Sequence, residues 1–463
     1  MNLETDNKIQ KKGITLVIPN PCGNIKETKM KNSGIEWIGE IPDEWEVKPV
    51  KRYFSHVKRI VGDDVDKYER LSLTMQGVLK RSKEDAEGLQ PEKFNSYQIL
   101  KQNELVFKLI DLENVNTSRV GISPFNGLVS PAYIILTNNK KDNTFYYYWF
   151  LNMYYQEIFN KLGDGGVRSA LNASDVLSLP MVYLNNETQQ CIASYLDKKC
   201  SKVEETIQNQ QQVIEKLKAY KQSLITEAVT GKVKIENGKV CGKYENYKDS
   251  GVEYLGYIPS NWNIKRLRYI GKCQNGISKG GEFFGSGYPF VSYGDVYNNL
   301  VLPETVSGLI ESTPEEQENY SVKSGDIFFT RTSETIEEVG FTSVCLKTIE
   351  NATFAGFVIR VRPFTEELIP DYSKYYFSSD AHRRFFVKEM NLVTRASLSQ
   401  DLLKRLPVLI PSKDEQKEIA DYLDKKCTAI DTAIEQKQKL IEKLTEYKKS
   451  LIYEVVTGKR DIK

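Results

Sequence analysis

Hydrophobic positions along this chain change period twice, in the same order each time. From about Asn186 to Val229, residues Val203, Ile207, Gln210, Ile214, Leu217, Lys221 and Leu224 fall alternately four and three apart, the seam spacing of a coiled coil. Ile430, Ile434, Lys437, Ile441, Leu444, Lys448 and Leu451 repeat it near the end of the chain. No Pro or Gly interrupts either run, and each stops at Thr-Gly, with Gly231 and Gly458 as C-terminal stops. Pro180 and Pro411 precede the runs, and Asn185 and Ser412 are available as caps. The pattern predicts two helices of ~43 residues, rods of roughly 60 Å at 1.5 Å per residue. One such helix is hard to stabilise alone, and two in one chain offer each other a partner. Antiparallel pairing within the chain would put the modules before each helix at opposite ends of a rod; association between chains is the alternative. The polar seam positions Gln210, Lys437 and Lys448 would fix register, meet another subunit, or simply be solvated.

Ahead of each helix the pattern shortens to β-rich runs separated by turn signals. Glu104-Leu-Val-Phe107, Ala132-Tyr-Ile-Ile-Leu136, Asp326-Ile-Phe-Phe329 and Phe357-Val-Ile-Arg-Val361 read as strands. Each of these segments then carries one aromatic-rich helix, over 145–162 and 372–390. Its rings (Tyr148, Trp149, Tyr155, Phe159; Tyr375, Tyr376, Phe377, Phe385, Phe386) read as core rather than as base-stacking platforms. The fold class is therefore α+β: two mixed α/β modules separated by two long helices that pair as an antiparallel coiled coil.

The two halves are copies in their frame. Ser33-Gly-Ile-Glu-Trp-Ile-Gly-Glu-Ile-Pro-Asp-Glu-Trp45 returns 217 residues later as Ser250-Gly-Val-Glu-Tyr-Leu-Gly-Tyr-Ile-Pro-Ser-Asn-Trp262. Ile192-Ala-Ser-Tyr-Leu-Asp-Lys-Lys-Cys200 returns 227 residues later as Ile419-Ala-Asp-Tyr-Leu-Asp-Lys-Lys-Cys427, and the register holds to the Thr-Gly-Lys at Lys232 and Lys459. Roughly half the positions of this second block are identical, which chance does not produce. Between the blocks only a frame survives: Phe159 answers Phe386, Arg168 answers Arg395, Leu171 answers Leu398, Pro180 answers Pro407. Drift alone would blur frame and filling alike. A frame kept twice around different fillings points to one structural job done twice and two different things recognised.

Composition narrows the class. The 463 residues are too many for one ordinary core, and 40% hydrophobic with 27% charged is the balance of a soluble globular chain. No apolar run approaches the ~20 residues of a membrane span, and the polar first residues show no secretory signal. That favours a cytoplasmic protein. Seven scattered cysteines without Cys-x-x-Cys speak against a disulfide scaffold or a zinc site. A net charge of +2 neither demands nor excludes nucleic acid.

Catalytic signatures are weak. Gly276-Ile-Ser278-Lys-Gly280 fits a nucleophile elbow, but a poor helix start follows it and the chain has only His56 and His382 as bases. Pro42-Asp43…Glu46-Val-Lys48 imitates a nuclease motif inside the repeated frame. A Walker loop, a dinucleotide fingerprint and an adenine-methyltransferase motif are all missing from the sequence. Basic residues on loops are better candidates, as DNA contacts. Arg168 and Arg395 stand at matched positions between the aromatic and long helices, which suits a shared role such as phosphate positioning. Arg119, Lys161, Lys279, Arg331, Arg383 and Arg384 are unmatched and would supply specificity; for each, an ordinary solvated or ion-paired surface residue is the competing reading.

The opening motif at 33–45 with its copy at 250–262, and Pro411-Ser-Lys-Asp-Glu-Gln416-Lys-Glu-Ile-Ala-Asp-Tyr-Leu423 with its counterpart at 189–196, resemble the recurrent blocks of type I restriction–modification specificity subunits. The first copy departs slightly, with Glu187-Thr188-Gln189 for Asp414-Glu415-Gln416. The resemblance covers nearly the whole chain beyond a leader at 1–31. It implies target-recognition domains at 32–185 and 250–412, conserved helices at 186–231 and 413–463, and a linker at 232–249. Each domain would read one half of a bipartite, gapped DNA target while the helices set the spacer. A ~60 Å rod matches, in order of magnitude, a target of ~15 base pairs. The chain itself would be non-catalytic and hold no cofactor. Two methyltransferase subunits using S-adenosylmethionine, and two motor-nuclease subunits using ATP and Mg, would carry the chemistry.

Overall fold

A computed structural model describes residues 29–84, 93–112, 118–138, 142–162, 170–333, 339–389, 396–460 and 462. The chain divides into two compact units, Met1–Gln210 with Lys439–Lys463, and Gln211–Gln438. The division falls inside both long helices, so each unit owns one module and a piece of each helix.

The long helices span Asn186–Val229 and Lys413–Val456. Their starts are capped as the sequence implies: the Thr188 amide donates to Asn185 Oδ1 at 2.8 Å, and the Glu415 amide to Ser412 Oγ at 3.3 Å. Their ends close on glycines with positive φ, Gly231 and Gly458, each followed by a lysine amide that reaches back to Glu227 or Glu454. The seam faces inward, with Ile207, Ile214, Leu224, Ile430, Ile441 and Leu451 all buried. The pairing is intramolecular and antiparallel. In the first unit Lys448 Nζ meets Glu204 at 2.7 Å, and in the second Lys221 Nζ meets Asp431 at 2.7 Å, so one residue number falls as the other rises.

Among the described residues, the first elements of the first unit are a hairpin, Met30–Asn32 against Glu40–Pro42, and a strand Glu46–Pro49 paired with Pro180–Tyr183. Its main sheet runs in the order Ser55–Val57, Ile134–Thr137, Leu105–Phe107, Val120–Ile122. The second unit repeats these parts: hairpin Tyr247–Asp249 with Tyr257–Pro259, strand Asn263–Arg266 on Pro407–Ile410, and a sheet ordered Gly271–Asn275, Val358–Pro363, Ile327–Thr330, Thr342–Val344. A further hairpin, Lys234–Glu236 with Lys239–Gly242, occupies the stretch between the central helix and the second module.

The repeated blocks have one visible purpose. In the second unit the central helix ends on the opening motif, where a Cβ at Gly231 would stand 2.4 Å from Pro259 and Lys232 Nζ donates to the Leu255 and Tyr257 carbonyls. In the first unit the C-terminal helix ends the same way, Gly458 on Pro42 and Lys459 Nζ on the Ile38 carbonyl at 2.8 Å. Each long helix therefore starts from one module and seats on the opening motif of the other.

The aromatic helix expected as one piece in each module is two. Thr144–Tyr155 and Ile158–Leu162 are parted at Glu157, whose φ is +56°. Pro370–Ser378 and Asp380–Glu389 are parted at Ser379, whose hydroxyl donates to the Tyr376 carbonyl at 2.6 Å and so competes with the helix ladder. The rings themselves are core: Tyr148, Trp149, Phe159, Tyr375, Tyr376, Phe377, Phe385 and Phe386 are buried.

Candidate nucleic-acid interface

Backbone hydrogen bonds identify one rim built twice. In the first unit the segment leaving strand Leu105–Phe107 accepts the Leu171 amide at the Leu109 carbonyl, 2.9 Å. In the second unit the segment leaving strand Ile327–Thr330 accepts the Leu398 amide at the Arg331 carbonyl, 2.7 Å. A tight turn borders each segment: Tyr133 N to Ser130 O at 3.1 Å, and Val358 N to Ala355 O at 3.0 Å. The turn before each strand is shared too. The Lys101 amide donates to Glu104 at 2.9 Å and the Lys323 amide to Asp326 at 2.7 Å, while Asn103 and Gly325 between them have positive φ. Both carboxylates hold a bidentate arginine, Arg59 and Arg362.

The candidate residues distribute unevenly over this rim. Arg168 and Arg395 lie outside the described residues. Their near neighbours Leu171 and Leu398 dock at matched points, and Ala396 pairs with Ser333. Arg331 stands on the rim, half-buried. Lys161 is exposed there as well, beside Asn160, whose side chain donates to the Leu112 carbonyl at 2.8 Å. Arg119 is inside: 1% exposed, it donates to the Ile110 and Asp111 carbonyls at 2.8 and 2.7 Å, and burial lowers its pKa. Its guanidinium holds the loop from within. Lys279 is tucked against residues 311–316, donating to the Glu311 carbonyl and paired with Glu316 at 2.6 Å; its hydrogen bond holds the Glu316 carboxyl below the usual range. Arg383 bonds the Val339 carbonyl and lies over the Phe341 ring, 5.2 Å from its centroid. Arg384 is exposed but lines a cleft with Thr226 and Glu227 of the central helix and with Thr230 just past its end.

Sequence reasoning assigns none of four residues to the rim of the second unit: Phe357, which it reads in a strand, Ser278, which it reads in a dismissed elbow match, Asn275 and Gln400. The Arg331 amide donates to the Phe357 carbonyl at 2.9 Å, and Phe357 is 64% exposed. Gly356 lies so close to Ser278 that a Cβ would stand 2.3 Å from its Oγ. Gln400 Nε2 donates to Asn275 Oδ1 at 3.0 Å. The Gly-x-Ser-x-Gly match thus belongs to the rim. A single 3-10 turn, Gly281–Phe283, and a strand follow it instead of the helix a nucleophile elbow requires. Among the described residues no helix is long and apolar enough to cross a membrane.

Fold and rim define a chain of two modules on one frame, differing where they present side chains. Residues 259–445 match the model of a known family, described as the type I restriction modification DNA specificity domain. The chain is 24% identical over 316 residues to the type I restriction enzyme EcoKI specificity subunit of Escherichia coli (strain K12), covering 66% of this chain and 63% of the relative. It is 22% identical over 313 residues to the EcoBI specificity subunit of Escherichia coli, covering 63% of each. The chain thus spans about 63% of the length of these curated relatives. A solved structure described as the structural basis of complex assembly and conformational transition of the type I R-M system superposes with a TM-score of 0.64 at 13% identity, over 91% of this chain and 99% of that one. The likeness carries the fold: two α+β modules with two long paired helices.

Proposed function

We propose that this chain is the DNA sequence-specificity subunit of a type I restriction–modification complex, each module reading one half of a bipartite, gapped target. The observation that carries the reading is the rim built twice on matched hydrogen bonds with different side chains, in a chain whose second module matches a DNA specificity family. The paired helices set the spacer and offer the surface for partner subunits. The chain is non-catalytic. Methyl transfer from S-adenosylmethionine to adenine, and ATP- and Mg-dependent cleavage, fall to two methyltransferase and two motor-nuclease subunits in the cytoplasm. Arg168 and Arg395 contact phosphates; Lys161 and Arg331 are the best-placed of the unmatched cations.

The test is genome-wide methylation mapping in a host that expresses cognate methyltransferase subunits, with and without this chain. A gapped adenine motif that appears only with the chain supports the reading. A stable complex that directs no motif replaces it with a structural adaptor.

A further inference from the structure

We infer that Arg331 and Phe357 are the base-reading pair of the second unit, taking a guanine and an adjacent thymine in the major groove of duplex DNA. The inference rests on the specificity reading above and assigns it to atoms.

The shared amide-to-carbonyl bonds put Arg331 in register with Leu109, and the shared tight turns put Phe357 in register with Ala132. Strand pairing agrees: Phe329 faces Ile359 as Phe107 faces Ile134. One frame thus carries Arg and Phe in one unit and Leu and Ala in the other: Leu109 turns into its core at 1% exposure, whereas Arg331 is only half-buried. The turn closes around alanine, so it does not need the phenyl ring. At 64% exposure Phe357 gains little from burial, and its ring is explained by something outside the chain. The backbone that carries the ring is held in place, because the turn is pressed against Ser278 through Gly356 and tied to Arg331 at 2.9 Å.

Arg331 and Arg383 are the two half-buried unmatched arginines of the second unit, and their guanidinium groups are used differently. Arg383 is held by the Val339 carbonyl and the Phe341 ring, whereas Arg331 makes no ion pair or side-chain hydrogen bond among the described residues. A guanidinium fork matches guanine O6 and N7, and an apolar ring suits the thymine methyl. Adjacent backbones place the two contacts on neighbouring base pairs.

The experiment gives the second unit the side chains of the first: Arg331→Leu, Phe357→Ala and the double variant, each assembled as the full chain with methyltransferase subunits and mapped for methylated motifs. Wild type should direct a gapped motif. Each single variant should relax one position in one half by about tenfold. The other half and the melting temperature should stay unchanged, since neither residue supports a core. Variants that keep every base preference of wild type overturn the pair. So do variants that weaken both halves equally, as loss of a general backbone contact would. A wild-type chain that directs no motif sinks the specificity reading, and this inference with it.

Discussion

Gly458 ends the C-terminal helix at φ +71° with Pro42 so close that a Cβ would stand 2.5 Å from its ring. The C-terminal helix is thereby seated on the opening motif at 33–45, and Trp45 lies 3.2 Å from the same point. Both glycine properties are used here, the left-handed backbone and the absent side chain. Gly458→Ala should therefore destabilise the first unit by about 2–3 kcal/mol, combining backbone strain with the clash. Gly34→Ala is the control. It has φ +75° but open space around it, and should cost only about 1 kcal/mol. Urea unfolding separates the two. Equal losses would mean that the contact with Pro42 carries no weight.

The ion pairs Lys448–Glu204 and Lys221–Asp431 occupy matched places on the helices, and their lysines are about one-fifth to one-quarter exposed. Half-screened pairs of this kind give about 0.5 kcal/mol of coupling. Lys448→Glu should lower stability, and Glu204→Lys on the same chain should restore most of it. The recovery should fade at 1 M salt, where the screening length is about 3 Å. A double variant no better than the sum of its parts would show the lysine to be merely solvated.

Long-range order was more legible in the sequence than local breaks. The two helices, their caps and their stops were readable because 44 residues of unbroken period and a terminal glycine leave few alternatives. The helix breaks at Glu157 and Ser379 were not, because each depends on one residue's backbone angle or hydroxyl. The rim was half-legible. Lys161 and Arg331 stand on it and Arg168 and Arg395 lie outside the described residues, whereas Arg119 and Lys279 have the same charge as a DNA contact and use it on carbonyls and Glu316. Composition cannot tell those uses apart. The turn before the rim does carry a signature in the sequence, since Lys101-Gln-Asn-Glu-Leu-Val-Phe107 and Lys323-Ser-Gly-Asp-Ile-Phe-Phe329 are one motif written twice.

Arg168→Ala with Arg395→Ala should weaken binding to any DNA sequence and reduce the slope of log K against log salt by about 2, roughly 0.9 per phosphate lost. Sequence preference should be retained. Filter binding across a salt series reads both quantities. An unchanged slope would remove these arginines from the backbone contacts.

Arg119→Met should behave differently, because its guanidinium is committed to carbonyls inside the protein. Loss of the fork leaves buried acceptors unsatisfied, which costs about 1–3 kcal/mol. Thermal stability should fall while the salt slope stays at the wild-type value. A reduced slope with unchanged stability would make Arg119 a DNA contact after all.

His382 is buried between Phe377 and Phe386, and burial together with the neighbouring Arg383 pushes its pKa down to about 3. In the unfolded chain an ordinary histidine titrates near 6.5. Above that pH both states are neutral and the residue contributes no pH dependence. As pH falls below 6.5 the unfolded chain takes up a proton that the folded chain refuses, so stability declines by about 1.4 kcal/mol per pH unit toward the folded pKa. His382→Leu removes that proton. Denaturant midpoints measured from pH 7 to pH 4.5 should fall more steeply for the wild type than for the variant, with the curves parallel above pH 7. Curves that stay parallel to pH 4.5 would mean the imidazole is protonated in the folded state, with an acceptor beside it.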